Sequence, residues 1–300
     1  MARKRKSERQ KSRKPQSSRA RNRRLAQRSS QSNSHRFEAL EDRRLLATLT
    51  VGNSLDLVDG DTSSVAALIS SPGADGISLR EAIVASNNTD GADTITFDSL
   101  VFTGGTDSLI RLTNGELEIT DSLTIDASNA VDVTITGDAN GDDVTDASFI
   151  TNVGASFGGI AGAADDLLDD NSRVLSFAAP GGTLLLDGLT VTGGRTTADS
   201  AGGGGIYTSN GNVTVASSVV SGNSTAGYRS DGGGIAAGGL FTLGNVTLTD
   251  STVSGNSTMG DGADGGGIFV INGDVTLTNS TVSDNSTCLL YTSPSPRDRG

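Results

Sequence analysis

The 300-residue chain has no tryptophan, one cysteine (Cys288), one histidine (His35) and no lysine after Lys14. Each shortage closes off a class of chemistry. A single cysteine permits no intramolecular disulfide. With the lone histidine near the N-terminus, neither a His- or Cys-based zinc site nor a Ser-His-Asp triad can be assembled in the glycine-rich C-terminal repeats. Aromatic residues make up 4% of the chain, which argues against propeller blades, whose aromatic-marked repeats run to roughly 40 residues or more. No apolar run approaches the ~20 residues of a membrane-spanning helix. Positive charge is equally confined. Residues 1–44 carry 16 Lys+Arg against 4 acids, a net of +12, whereas residues 45–300 carry 7 Arg against 31 acids, a net of −24. An acidic body stays soluble and repels nucleic acid.

What the chain has in quantity is glycine, and much of it lies in a repeat. GGGIYTSNGNVTVASSVVSGNST is followed by GGGIAAGGLFTLGNVTLTDSTVSGNST and GGGIFVINGDVTLTNSTVSDNST. The isoleucines Ile206, Ile235 and Ile268 step by 29 and 33 residues, and the asparagines Asn223, Asn256 and Asn285 by 33 and 29. Periods of this length mark stacked supersecondary units. Val213, Val215 and Val220 align with Val246, Leu248 and Val253, and with Val275, Leu277 and Val282. The spacing of two within each set places apolar side chains on one face of a strand, alternating with Thr and Ser on the other. A degenerate unit with Leu184, Leu186 and Val191 comes 29 residues earlier.

From the last valine of each unit to the next isoleucine is always 15 residues, whereas from isoleucine to the next core valine is 7, 11 and 7. Within these repeats, the length variation falls in one connection, as in a solenoid whose strands hold register while one face takes the insertions. A Leu-x-x-Leu-x-Leu horseshoe pattern is absent. The expected fold is therefore all-β: a right-handed parallel β-helix, pectin-lyase-like, with two or three short strands per coil. Asn223, Asn256 and Asn285 should form a ladder at one corner, where side-chain amides can satisfy backbone groups of the turn.

Residues 1–36 are basic, polar and without apolar periodicity, and read as a disordered tail. Phosphate binding is one reading of that tail; the acidic body favours a charged leader for export. Residues 37–47 contain Leu40-Glu41-Asp42-Arg43-Arg44-Leu45-Leu46, which resembles the LEPR-XLL motif near the N-termini of large bacterial surface proteins, with Asp42 where the family has Pro. The resemblance implies envelope targeting; a short helix packed on the solenoid end is the alternative. In residues 48–98, Ser78-Leu79-Arg80-Glu81-Ala82-Ile83 resembles the CSLREA region that precedes β-helices in bacterial surface proteins, with Ile77 in place of the family's Cys. Leu79, Ala82, Ile83 and Ser86 lie on one helix face, Ser78 and Glu81 have capping-box spacing, and residues 94–97 alternate as a strand. Such a segment caps the open end of a solenoid. Residues 99–287 form the solenoid, with 137–172 a loop or insertion between coils. Residues 288–300 break the repeat and equal the translation of a transposase adapter used in sequencing libraries. They are read as foreign, with the natural repeat continuing.

Few residues suggest chemistry. Asp138, Asn140, Asp142, Val144 and Asp146 have the odd-position pattern of a calcium loop, but Asp143 replaces its glycine and Phe149 its bidentate glutamate. Asp231 and Asp264 precede successive glycine triplets; on adjacent coils they would lie ~5 Å apart, a spacing suited to a retaining glycosidase or a shared Ca²⁺. Repeated turn aspartates are the plainer explanation. Arg195 and Arg229 are the nearest cations for a lyase base. Asn-Ser-Thr at Asn223, Asn256, Asn279 and Asn285 matches glycosylation acceptors but recurs because the coil recurs. No residue is assigned a catalytic, cofactor-binding or metal-binding role, and no cofactor is implied. The repeat order resembles that of polymorphic outer-membrane proteins and adhesins. That resemblance implies a secreted or cell-surface protein of the bacterial envelope, non-enzymatic, adhesive or structural, with surface glycans or other cell-surface molecules as partners. A polysaccharide lyase or glycoside hydrolase on the same scaffold is the alternative.

Overall fold

The computed structural model describes residues 47–141 and 171–287, all within one compact unit of the chain. The basic tail, the Leu40–Leu46 motif, Asp142 to Asp146 and residues 288–300 lie outside the described residues. Strand follows strand in a right-handed parallel β-helix of about five turns. Every pairing between strands is parallel, and each strand's neighbours belong to the preceding and following coils.

The alternation of apolar and hydroxyl residues becomes stacked columns. In a seven-stranded sheet one inward column runs Leu49, Ile95, Ile125, Leu186, Val215, Leu248, Leu277. A six-stranded sheet stacks Ile110, Ile135, Val191, Val220, Val253 and Val282. A five-stranded sheet stacks Leu117, Leu175, Ile206, Ile235 and Ile268. Through the middle coils these residues are fully buried, each contributing about 1.5–3 kcal/mol relative to exposure. The aligned valines and isoleucines therefore mark the core, and the unit beginning at Leu184 is a true coil.

The coils hold more strands than the spacing suggests. A coil such as 183–208 has four: Thr183–Asp187, Thr190–Thr192, Arg195–Thr196 and Ile206–Thr208. The extra one belongs to a narrow four-stranded sheet that pairs Arg195-Thr196, Ser224-Thr225, Ser257-Thr258 and Ser286-Thr287. It has no apolar residue, so hydrophobic periodicity could not reveal it. Length variation also has a second location. Gly137 and Ser172 lie side by side, the Ser172 N–H donating to the Gly137 carbonyl at 3.0 Å. The described flanks of the expected 137–172 insertion therefore meet at the asparagine corner, not at the connection that varies among the later repeats.

Two helices close the N-terminal end, α1 (Val65–Ser70) and α2 (Leu79–Asn87). Leu79, Ala82, Ile83 and Ser86 are all buried, as their spacing predicts. The capping box forms: Ser78 Oγ accepts from Glu81 N at 3.2 Å and Glu81 Oε2 from Ser78 N at 2.9 Å. Glu81 Oε1 also accepts from Asp59 N and Gly60 N, at 2.8 and 2.7 Å. Arg80 grips Asp56 through two nitrogens at 2.6 and 3.0 Å and donates to the carbonyls of Gly115 and Glu116. The SLREA stretch is thus a clamp between the cap and the early coils. Strands Thr48–Val51 and Asp93–Phe97 from the same N-terminal segment join the seven-stranded sheet.

Candidate functional site

The asparagine corner explains the glycine triplet. Asn223 Nδ2 donates to Val191 O and Ser221 O, each at 3.1 Å, and to Asn256 Oδ1 at 3.0 Å. Asn256 repeats the pattern with Val220 O, Ser254 O and Asn285 Oδ1. Each Oδ1 also accepts the backbone N–H of the preceding coil, at 2.9 to 3.0 Å. The amide planes lie against the third glycine of each triplet. A Cβ at Gly205 or Gly234 would fall 2.9 Å from the amide carbon of Asn223 or Asn256. The first glycine of each triplet, Gly203, Gly232 or Gly265, has φ of 66–70°, a conformation costly for L side chains. The Asn-Ser-Thr triplets at Asn223 and Asn256 are therefore structural, with amides buried in the ladder.

A different region has the chemistry of a binding site. The residue after each triplet's isoleucine faces outward on the five-stranded sheet: Tyr207, Ala236 and Phe269 in one column. Tyr207 and Phe269, both half-buried, thus belong to strands two coils apart, about 9.6 Å at the strand spacing of a sheet, with the buried Ala236 on the strand between them. A cleft of about 340 Å³ opens there, at the low end of the ~300–1,000 Å³ usual for small-molecule sites. Tyr207 and Phe269 bound it along the solenoid axis. Across the axis, Asp231 and Arg229 stand at one rim and Leu240 and Ile271 at the other.

Each wall has a local cause. The Arg173 guanidinium, from the preceding coil, lies 4.9 Å from the Tyr207 ring centre. It is fixed by Glu116 at 2.6 Å and by the carbonyls of Gly202 and Gly203 at 2.9 Å. One face of Tyr207 is thereby covered. The Leu240 rim is the longer connection read from the 11-residue spacing. Gly239 and Thr242 exchange backbone hydrogen bonds at 3.2 and 3.3 Å, Thr242 Oγ1 donates to Ser209 O, and Asn272 Nδ2 donates to the carbonyls of Gly239 and Leu240. The turn so fixed leaves Leu240, Phe241 and Leu243 at 78%, 97% and 69% exposure.

Asp231 and Asp264 do sit in register on adjacent coils, since Gly232 N donates to Asp264 O at 2.9 Å. Asp231 Oδ1 accepts the Asp264 N–H at 2.7 Å, so this carboxylate serves as a turn acceptor. Burial pushes its pKa above the ordinary value of 3.8; the Asp264 charge adds to the rise, while the Asp264 N–H and Arg229 oppose it. Arg229 is exposed, with φ of 52° and its guanidinium 5.3 Å from the Tyr228 ring centre. Asp138 is buried, accepting from Gly141 N at 2.8 Å and from Arg111 at 3.3 Å. Asn140 lies in the same described turn; the remaining calcium-pattern oxygens lie outside the described residues. Arg195 opens the narrow sheet, away from the cleft lining. Among the described residues, no three His, Cys, Asp or Glu side chains converge as a metal site, and no helix is long and apolar enough to cross a membrane.

Sequence reasoning pointed to the variable connection but missed the ring pair, because Tyr207, Ala236 and Phe269 differ in every repeat. The signal was their shared position one residue after the isoleucine. Searches against family models, curated proteins and solved structures find no match to the chain.

Proposed function

We propose that this is a non-enzymatic secreted or cell-surface protein in which the β-helix is a rigid structural support for binding. The observation that supports this reading is the Leu240–Leu243 turn. A four-residue lengthening of one coil presents three large apolar side chains to solvent beside a mixed aromatic and charged cleft, and large exposed apolar groups clustered together mark interaction surfaces. The acidic body directs the binding toward uncharged or cationic partners and away from polyanions. Asp231, engaged with the Asp264 amide, resembles a turn residue more than a catalytic acid. The surface role is consistent with the SLREA clamp and the adhesin-like repeat order.

Two measurements test the reading. An antibody against the solenoid should find the protein in secreted or envelope fractions of its native cells; confinement to the cytoplasm overturns the proposal. Incubation with pectin, alginate and neutral polysaccharides should release neither unsaturated uronides nor new reducing ends, and release of either would establish an enzyme.

A further inference from the structure

We infer that the turn at residues 238–244 is a lipid-inserting tip, whose Leu240, Phe241 and Leu243 enter the headgroup boundary of a bilayer that carries no net charge. The inference rests on the binding reading above and deepens it by naming the partner.

The apolar groups are peculiar to the lengthened coil. In the neighbouring coils the same connection reads Ser209-Asn210-Gly211 and Ile271-Asn272-Gly273-Asp274, with the half-buried Ile271 its one large apolar side chain. The solenoid therefore closes its coils without a Leu-Phe-x-Leu stretch at this place. Leu240, Phe241 and Leu243 add little to the core either, being 78%, 97% and 69% exposed. Three such groups on one short turn have no role that closing the coil requires, and they work against solubility in water.

The turn is built as lipid demands. Unpaired backbone groups are costly in an apolar medium, and here the carbonyls of Gly239, Leu240 and Thr242 all accept hydrogen bonds from within the protein. Thr242 N donates to Gly239 O at 3.3 Å and Gly239 N to Thr242 O at 3.2 Å. Asn272 Nδ2 donates to Gly239 O and Leu240 O at 3.0 and 3.1 Å. Thr242 is the one polar side chain between Gly239 and Gly244, and its hydroxyl donates to Ser209 O, back on the preceding coil. What remains outermost is Leu, Phe and Leu. Pinned in advance, the tip gives up little conformational entropy on insertion.

Size favours lipid over protein. A stable protein interface engages about 20–30 residues on each side, and three apolar side chains on one turn fall far short of that. A fluid bilayer needs no matching surface. Interfacial anchors sink about 5–10 Å into the headgroup region, a depth within reach of a single turn.

Charge selects the lipid. No Asp, Glu, Lys or Arg occurs from residue 232 to residue 249, so the tip carries no ionic group of its own stretch into the bilayer. Asp274, on the next coil, lies at the base of the turn, where its N–H donates to Asn245 Oδ1 at 2.9 Å. Residues 45–300 are net −24, which repels an anionic surface. The partner is therefore a zwitterionic bilayer.

Fluorescence tests this, because the chain has no tryptophan and Phe241→Trp supplies a single reporter at the tip. The purified full-length variant is mixed with vesicles of dioleoylphosphatidylcholine, whose zero net charge gives the basic residues 1–44 no anionic surface to bind. Emission should shift to the blue and be quenched by brominated acyl chains. Leu100→Trp, at a position 87% exposed on a different turn, should show neither effect. Leu240→Ser, Phe241→Ser and Leu243→Ser combined should lower vesicle binding at least tenfold in flotation, with circular dichroism and melting temperature unchanged. Absence of the shift in Phe241→Trp overturns the proposal, as do an equal shift in Leu100→Trp and undiminished vesicle binding by the triple variant. A blue shift that grows with protein concentration in the absence of vesicles would assign the tip to a second copy of the chain and overturn the lipid partner. Cytoplasmic confinement or polysaccharide cleavage would instead defeat the broader reading without altering this assay.

Discussion

At the residue scale, glycine and its neighbours carry the precision of the coil. Glycines of identical appearance in the sequence do different work. Gly234 faces the Asn256 amide and the Gly267 carbonyl, with a Cβ placed 2.9 Å from the Asn256 amide carbon and 2.6 Å from the Gly267 oxygen. Gly255 has φ of 63° but a Cβ there would meet nothing nearer than Gly222 N at 3.9 Å, and the equivalent residue one coil later is Asp284 at φ 55°. Gly234→Ala should therefore lower stability by about 2 kcal/mol or more, as overpacking does. Gly255→Asn should cost less than ~1 kcal/mol, since Asn tolerates the left-handed region; thermal unfolding of the two variants checks the order. Asp231 offers a second test. Its carboxyl is shifted upward on folding, so the folded state holds its proton more tightly than the unfolded chain. The stability available below pH 3.8 is then lost as pH rises through the folded value. Asp231→Asn keeps an oxygen to accept the Asp264 N–H and removes the charge. Its melting temperature should match the parent at pH 3 and exceed it at pH 7. A gap that does not widen with pH would show that burial of this charge is not the governing effect.

At the scale of elements, the cap shows how much one acid can organise. Glu81 closes the capping box and also takes two N–H groups from residues 59 and 60. Its removal leaves three backbone donors short of a partner, each costing about 1–3 kcal/mol where buried. Glu81→Ala should destabilise by on the order of 3 kcal/mol, whereas Ser78→Ala should cost about 1 kcal/mol, typical of a lost N-cap. Hydrogen exchange over residues 57–89 should rise in Glu81→Ala before the coils from 206 onward respond. The helix and its cap were legible because a 3.6-residue periodicity and a Ser-x-x-Glu spacing are local properties. The Glu81 bonds to Asp59 N and Gly60 N were not, because they depend on a loop folding back from 21 and 22 residues away.

Across the whole molecule, stability is a sum over coils and their interfaces. The inward columns are fully buried at Val215, Leu248 and Val253, but Val275, Leu277 and Val282 in the last described coil are 46%, 49% and 44% exposed. Protection from hydrogen exchange should therefore be greatest for strands within 184–253 and fall through 275–287. Uniform protection to residue 287 would mean that the outer face of this coil is covered in solution. The arrangement of columns also decides where function can lie. Inward positions are committed to packing and the asparagine corner to backbone amides. The outward side chains Tyr207 and Phe269 and the longer turn carry neither of these commitments.

The sequence by itself determined the coil, the register and the core. Strands that repeat in parallel need only matching apolar positions at matching intervals, and those intervals are visible in the chain. It also marked the connection that would project, through a count of 11 against 7. Tertiary structure alone decided the rest. The Ser-Thr sheet has no apolar signature; it forms because its neighbours hold it in register. The cleft exists because residues 207, 236 and 269 stack across coils, with Arg173 covering one ring and the Leu240 turn raising a wall. Each is unremarkable in its own repeat, and only stacking brings two rings to either side of an alanine.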